Sequence, residues 1–277
     1  MRLALNGATT MRADLATDVR AARAAGFDCL EIWAAKLRKF LKSGSTAELK
    51  SLLDEHGLEP YSINSIESIT FRDGAGHARL LEECEELCRT ASELNCPYIV
   101  VVPGPLPGEK SWDDVLAESV RVLDELGQIA EGHGVSLAFE FLGQPRCSVQ
   151  TLGQAAEIVN QLGRENVGLV LDSFHFYAGG SRLESIDALD ARKLFVFHIN
   201  DAEDLPREEL EDRHRLLPGL GILPLGEIVA GLKRINYDRV TSVEIFRPEY
   251  WERDPAELAH EAREATRKVL AQAGIRV

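Results

Sequence analysis

Eight short runs rich in Val, Ile, Leu and Phe recur along this chain, and an amphipathic stretch of helical length separates each from the next. They fall at residues 3–6, 29–33, 61–64, 98–102, 135–140, 167–172, 194–200 and 240–246. Apolar runs of this kind belong to strands buried on both faces, as in a parallel sheet covered by helices. Strand and helix alternating eight times is what closes a (β/α)8 TIM barrel, an α/β fold of about 250 residues. The chain has 277 residues and no linker-like tract, so one domain over 1–277 is expected.

The punctuation agrees. Ser45-Thr-Ala-Glu48 reads as a capping box, in which the hydroxyl takes a free backbone N–H and the glutamate reaches back. Asp254-Pro255 puts proline at a first helical position, where its missing N–H costs nothing. Ser111-Trp-Asp-Asp114 and Ser181-Arg-Leu-Glu184 read as further helix starts, and Gly26, Gly57, Gly134 and Gly163 stand where helices should stop. Helix-to-strand turns are short, whereas long strand-to-helix segments lie at 103–110, 173–180, 201–222 and 247–253. Long loops usually bind or cover something. All of these leave the carboxyl ends of the strands, the rim on which such barrels carry their active sites.

That same rim gathers the reactive side chains. Glu140, Asp172, His198 and Glu244 each end or interrupt one of four consecutive apolar runs. Singly, an acidic residue at a strand end is an ordinary loop or cap residue, and a histidine between Phe197 and Ile199 is as readily a core residue. Together they would crowd three carboxylates and an imidazole, at a cost of several kcal/mol for each uncompensated buried charge. A divalent cation removes that cost. Oxygen and nitrogen donors without thiolate suit Mn²⁺, Mg²⁺, Co²⁺ or Zn²⁺. Three anionic ligands leave the centre at about −1, and no phosphate cradle is visible, so a neutral polyhydroxy carbonyl compound is the expected substrate.

The charge balance narrows the partners. Lys+Arg 31 against Asp+Glu 45 gives −14, which disfavours nucleic acid and anionic membranes. No apolar run is long enough to span a bilayer, and the opening Met1-Arg-Leu-Ala-Leu-Asn6 reads as a strand rather than a signal peptide. The five cysteines (Cys29, Cys84, Cys88, Cys96, Cys147) form no metal-type pair. A cytoplasmic protein is the resulting expectation, with a small polyol or keto-sugar as partner. A homo-oligomer is compatible with the sequence.

Several motifs resemble the xylose-isomerase-like TIM-barrel family of sugar isomerases and epimerases, and most closely the inosose (2-keto-myo-inositol) isomerases. The resemblance runs along nearly the whole chain. It is most specific in Asn6-Gly-Ala-Thr-Thr10, Glu140-Phe-Leu-Gly-Gln-Pro-Arg-Cys147, Gly168-Leu-Val-Leu-Asp-Ser-Phe-His-Phe176, His198-Ile-Asn-Asp-Ala-Glu-Asp204 and Ser242-Val-Glu-Ile-Phe-Arg-Pro-Glu-Tyr250. It implies that Glu140, Asp172, His198 and Glu244 bind the metal, that Glu140 and Glu244 double as acid/base groups, and that His175 touches a substrate oxygen. It further implies a substrate-binding arginine, read as Arg213, with Arg207 and Arg215 as alternatives in the same loop. Asn6, Asn64, Trp33 and Arg247 sit at or beyond strand ends and are expected to line the pocket, although Asn6 and Asn64 serve equally as helix caps. Ketose epimerases of this superfamily tend to carry a second glutamate near the position of Arg146, a departure that keeps the cyclic ketone ahead.

The expected reaction moves the carbonyl of an inosose by one carbon through a cis-enediolate, with a metal polarising the carbonyl and a glutamate carrying the proton. The same site would serve an inosose dehydratase or keto-sugar lyase, a ketose epimerase or a hydroxypyruvate isomerase. Two further classes differ in kind. Apurinic-site endonucleases share the barrel but resemble multi-metal sites with more histidines and a basic DNA surface, against which seven histidines in all and a charge of −14 argue. A non-catalytic sugar-binding protein would bind without turnover.

Overall fold

The computed structural model describes residues 1–277. Eight strands close a parallel barrel: β1 (Arg2–Asn6), β2 (Cys29–Trp33), β3 (Glu59–Ile66), β4 (Tyr98–Val101), β5 (Ser136–Glu140), β6 (Val167–Asp172), β7 (Leu194–Ile199) and β10 (Val240–Val243). Each pairs with its neighbours in parallel, and β1 closes onto β10 through Arg2↔Val240 to Leu5↔Val243. All eight expected runs are strands. The edges moved where a ladder extends past the apolar residues, as in β3, or where the chain peels away early, as in β10.

The loop after β7 is not featureless. It holds a two-stranded antiparallel ribbon of β8 (Asp201–Ala202) and β9 (Arg215–Leu216), with Ala202 opposite Arg215. The 173–180 segment is largely the helix Ser173–Ala178. No helix is long and apolar enough to cross a membrane.

The expected caps are mostly present. Ser45 and Ser111 form capping boxes with Glu48 and Asp114, and Asp254 accepts from the backbone of Ala256 and Glu257. Gly26 ends the first helix with φ 84°, a conformation open to glycine without a Cβ penalty. Ser181 is an exception: its hydroxyl accepts from the backbone of Leu152, and the short helix Glu184–Asp187 begins without a side-chain cap. All five cysteines are buried free thiols.

The amino end of the barrel interior is an apolar plug. Between β6 and β7 the register jumps from Leu169↔Leu194 to Val170↔Val196, leaving Phe195 as the extra residue of a bulge. Its ring lies 4.8 Å from that of Tyr98, which lies 5.1 Å from that of Tyr61. Gly168 makes room, since a Cβ there would come within 2.6 Å of the Phe195 ring. The other end of the interior is polar.

Candidate metal centre

Glu140, Asp172 and Glu244 sit at or just past the carboxyl ends of β5, β6 and β10, and His198 lies near the end of β7. Because their strands are consecutive around the barrel, the four side chains converge. Their ligand atoms lie within 4.8 Å of one another and all four residues are buried. Nδ1 of His198 is 2.9 Å from Glu140, 3.4 Å from Glu244 and 3.9 Å from Asp172. Three of the carboxylates therefore crowd one nitrogen.

The surroundings hold the four unequally. Glu244 Oε1 accepts from Asn6 (3.1 Å) and Asn64 (2.8 Å), and its Oε2 from Arg215 (2.9 Å). Thr9 brackets its peptide, donating to Val243 O and accepting from Ile245 N. Burial pushes the Glu244 carboxyl up, but His198 and Arg215 outweigh it and hold it below its ordinary value. Asp172 caps the helix Ser173–Ala178 through His175 N (2.8 Å), and its other oxygen accepts from Asn200 and Arg215. Glu140, by contrast, accepts one hydrogen bond, from His198 (2.9 Å). Burial pushes it up to about 8; His198 opposes that, while Glu244 and Asp172 add to it.

This arrangement fits a divalent ion. The donors are hard oxygens and one imidazole nitrogen, the set suited to Mg²⁺, Mn²⁺, Co²⁺ or Zn²⁺. Burial works against a charge on His198, yet the carboxylates of Glu31, Glu244 and Glu140 lift it well above its ordinary value. Protons on His198 and Glu140 are thus taking up negative charge that a cation would neutralise.

The centre forms one wall of a cavity of about 490 Å³, also lined by Trp33, Asn64, Glu67, Gln144, His175, Arg215 and Phe246. Trp33 and Phe246 meet edge to face at 5.4 Å. His175 Nε2 lies 3.0 Å from Arg215 Nη2. A guanidinium only donates, so Nε2 accepts and the neutral ring carries its proton on Nδ1. Burial lowers His175 below its ordinary value, in keeping with a neutral ring. Nδ1 is buried without a partner in the chain.

Three expected pocket residues are placed elsewhere. Arg213, the expected substrate arginine, lies in a 3-10 turn with its side chain 63% exposed and paired with Glu211. Arg215 takes the inward position because pairing of β9 with β8 turns it under the loop. There its guanidinium lies 4.8 Å from the Phe174 ring and 5.1 Å from the Phe246 ring. Arg207 packs over Tyr177. Asn6 lies beneath Glu244 rather than in the cavity. Arg247 braces Glu203 and Tyr250, since Glu244 and Phe246 face inward and the next residue turns away.

Sequence reasoning passed over Glu31, Glu67 and the 65–68 segment where β3 ends. Glu31 was signalled by a lone charge inside the apolar run Cys29-Leu-Glu-Ile-Trp33. Nothing local marks the 65–68 segment, which lines the cavity because β3 runs past its apolar core.

The sequence profile described as xylose isomerase-like TIM barrel matches residues 19–269. The chain is 38% identical over 274 residues to the inosose isomerase of Bacillus velezensis, covering 98% of both chains. It is 39% identical over 274 residues to the inosose isomerase of Bacillus subtilis strain 168, covering 98% of this chain and 99% of that one. Its fold is similar to a crystal structure of the IolI protein with a zinc atom bound, at TM-score 0.96, 38% identity and 99% coverage of both chains.

Proposed function

The chain belongs to the xylose isomerase-like TIM barrel family, and we propose that within it this protein is a divalent-metal-dependent inosose isomerase. The observation that carries the reading is the buried group Glu140, Asp172, His198 and Glu244, with donor atoms within 4.8 Å, beside a cavity lined by polar side chains. The full-length likeness to inosose isomerases supplies the substrate class.

These four residues would hold the ion, which when bound supplies Lewis-acid stabilisation of negative charge on the substrate carbonyl oxygen. The chain's own groups supply the remainder. Asn64, Glu67 and Gln144 present donors and acceptors to ring hydroxyls. His175 Nδ1–H and the Arg215 guanidinium donate to oxygen as charge builds there.

Glu140, held by a single hydrogen bond and lining the cavity, takes the proton from the carbon next to the carbonyl. The C–H electron pair becomes the new C=C bond, and the carbonyl π pair moves onto oxygen, giving a cis-enediolate. Glu140 returns the proton to the former carbonyl carbon. Glu244, fixed by two amides and a guanidinium, carries the second proton from one oxygen to the other. The carbonyl has then moved by one carbon with no net gain or loss of atoms.

Proton NMR of the metal-loaded protein with 2-keto-myo-inositol in D₂O tests this. Carbonyl migration with deuterium or internal proton return at the α-carbon is expected. Loss of water to an enone or diketone would assign a dehydratase instead, and no change in the substrate would overturn the reading.

A further inference from the structure

Glu31 is a fully buried carboxylate that touches neither the cavity nor any of the three acidic ligands. It lies within β2, paired with Asn6 on one side and Ser62 on the other. Such a charge costs several kcal/mol in the interior unless something compensates it. Its partners are specific. Ser242 Oγ donates to Oε2 at 2.6 Å, Asn64 Nδ2 approaches Oε1 at 3.4 Å, and His198 Nε2 lies 3.0 Å from Oε2 and 3.1 Å from Oε1.

We propose that Glu31 is a positioning residue of the metal centre, holding His198 in the one tautomer and ring orientation that turns a bare Nδ1 toward the ion. The inference rests on the metal reading above. A carboxylate accepts and does not donate, so the nitrogen between its two oxygens must carry the hydrogen. A neutral imidazole has one N–H, so the lone pair falls on Nδ1, the nitrogen that faces Glu140, Glu244 and Asp172. Ser242, on the strand beside β7 and opposite His198 in register, fixes the carboxylate in turn. The chain Ser242–Glu31–His198 reaches the ion from behind, through the barrel interior. Outer partners of this kind orient a metal-bound imidazole and raise its basicity.

A glutamine at position 31 breaks this logic without changing the side chain's size. Its amide can offer N–H to Nε2, and the ring then places its own proton on Nδ1, where the ion belongs. The test uses Zn²⁺ alone, without substrate, titrated calorimetrically into chelator-stripped protein. Glu31→Gln should weaken binding by roughly 10–100-fold, and Glu31→Asp, which keeps the charge, should recover part of the loss. In Zn²⁺-loaded wild type, long-range proton–nitrogen NMR should show His198 protonated at Nε2 and ligated at Nδ1.

If Glu31→Gln does not fold, Ser242→Ala decides: a several-fold weaker Zn²⁺ affinity supports the chain, and an unchanged one overturns it. Wild-type affinity in folded Glu31→Gln, or ligation through Nε2, also overturns it. A wild-type protein that takes up no Zn²⁺ would sink the metal reading itself. Equal uptake by wild type and variants would sink only the role of Glu31.

Discussion

The two ends of the barrel interior are built from the same eight strands and differ in how their polar atoms are satisfied. At the amino end, Tyr61 donates to Phe195 O at 2.8 Å, Tyr237 donates to Val240 O at 2.6 Å, and Arg239 lies 5.3 Å from the Phe195 ring. Its polar tips find partners within the chain. At the carboxyl end, carboxylates face one another, Glu140 is pushed up to about 8 by burial, and His175 Nδ1 has no partner. One end is closed on itself and the other gathers charge that a bound cation would neutralise. That is the division between stability and catalysis on which this fold is built.

The sharpest way to break the comparison is to alter each end and read both outcomes. Glu140→Gln, measured as turnover of metal-loaded protein with inosose, should lose about 10²–10⁴-fold in kcat while the unfolding midpoint hardly moves. Activity near wild type would remove Glu140 from proton transfer. Phe195→Ala should do the reverse, costing about 3–5 kcal/mol in denaturant unfolding with Zn²⁺ uptake unchanged. Lost metal binding in a folded Phe195→Ala protein would show that the ends are not independent.

Metal loading should stabilise only through the carboxyl end. At a free ion concentration about 100 times Kd, stability rises by about 2.7 kcal/mol, visible as a higher thermal midpoint than in chelator-stripped protein. The carboxyl end should also respond to pH. Glu140 has a raised value, so its proton is present in the folded apo-protein and absent from the unfolded chain between roughly the ordinary glutamate value of 4.5 and about 8. Its contribution to apo-stability is fully present below that window and is lost as pH rises through it. Metal must displace this proton and the one on His198, so Zn²⁺ affinity should climb about tenfold per pH unit for each proton displaced. Affinity independent of pH from 5.5 to about 8 would contradict the protonation described for the ion-free cluster.

The same contrast explains what could be read from the sequence. Strand positions were legible because burial on both faces leaves a continuous apolar run. Glu140, Asp172, His198 and Glu244 stood out by interrupting four such runs at one end. The supporting residues were harder. Asn6 and Asn64 look like helix caps because their partner, Glu244, is distant in sequence, at separations of 238 and 180 residues. The choice between Arg213 and Arg215 depends on the β8–β9 ribbon, whose strands are two residues each and carry no periodic signal. His175 was visible as a motif residue. Its free Nδ1 became visible only once Arg215 was placed beside Nε2.

The central claim is that one divalent ion is gripped by side chains from β5, β6, β7 and the end of β10. Anomalous diffraction from crystals of Mn²⁺-loaded protein, with an Asp172→Asn crystal as control, addresses it directly. One strong peak among Glu140, Asp172, His198 and Glu244 in the wild type, reduced or lost in the variant, is the expected result. An anomalous map without a peak there, or a peak held by other residues, would contradict the account.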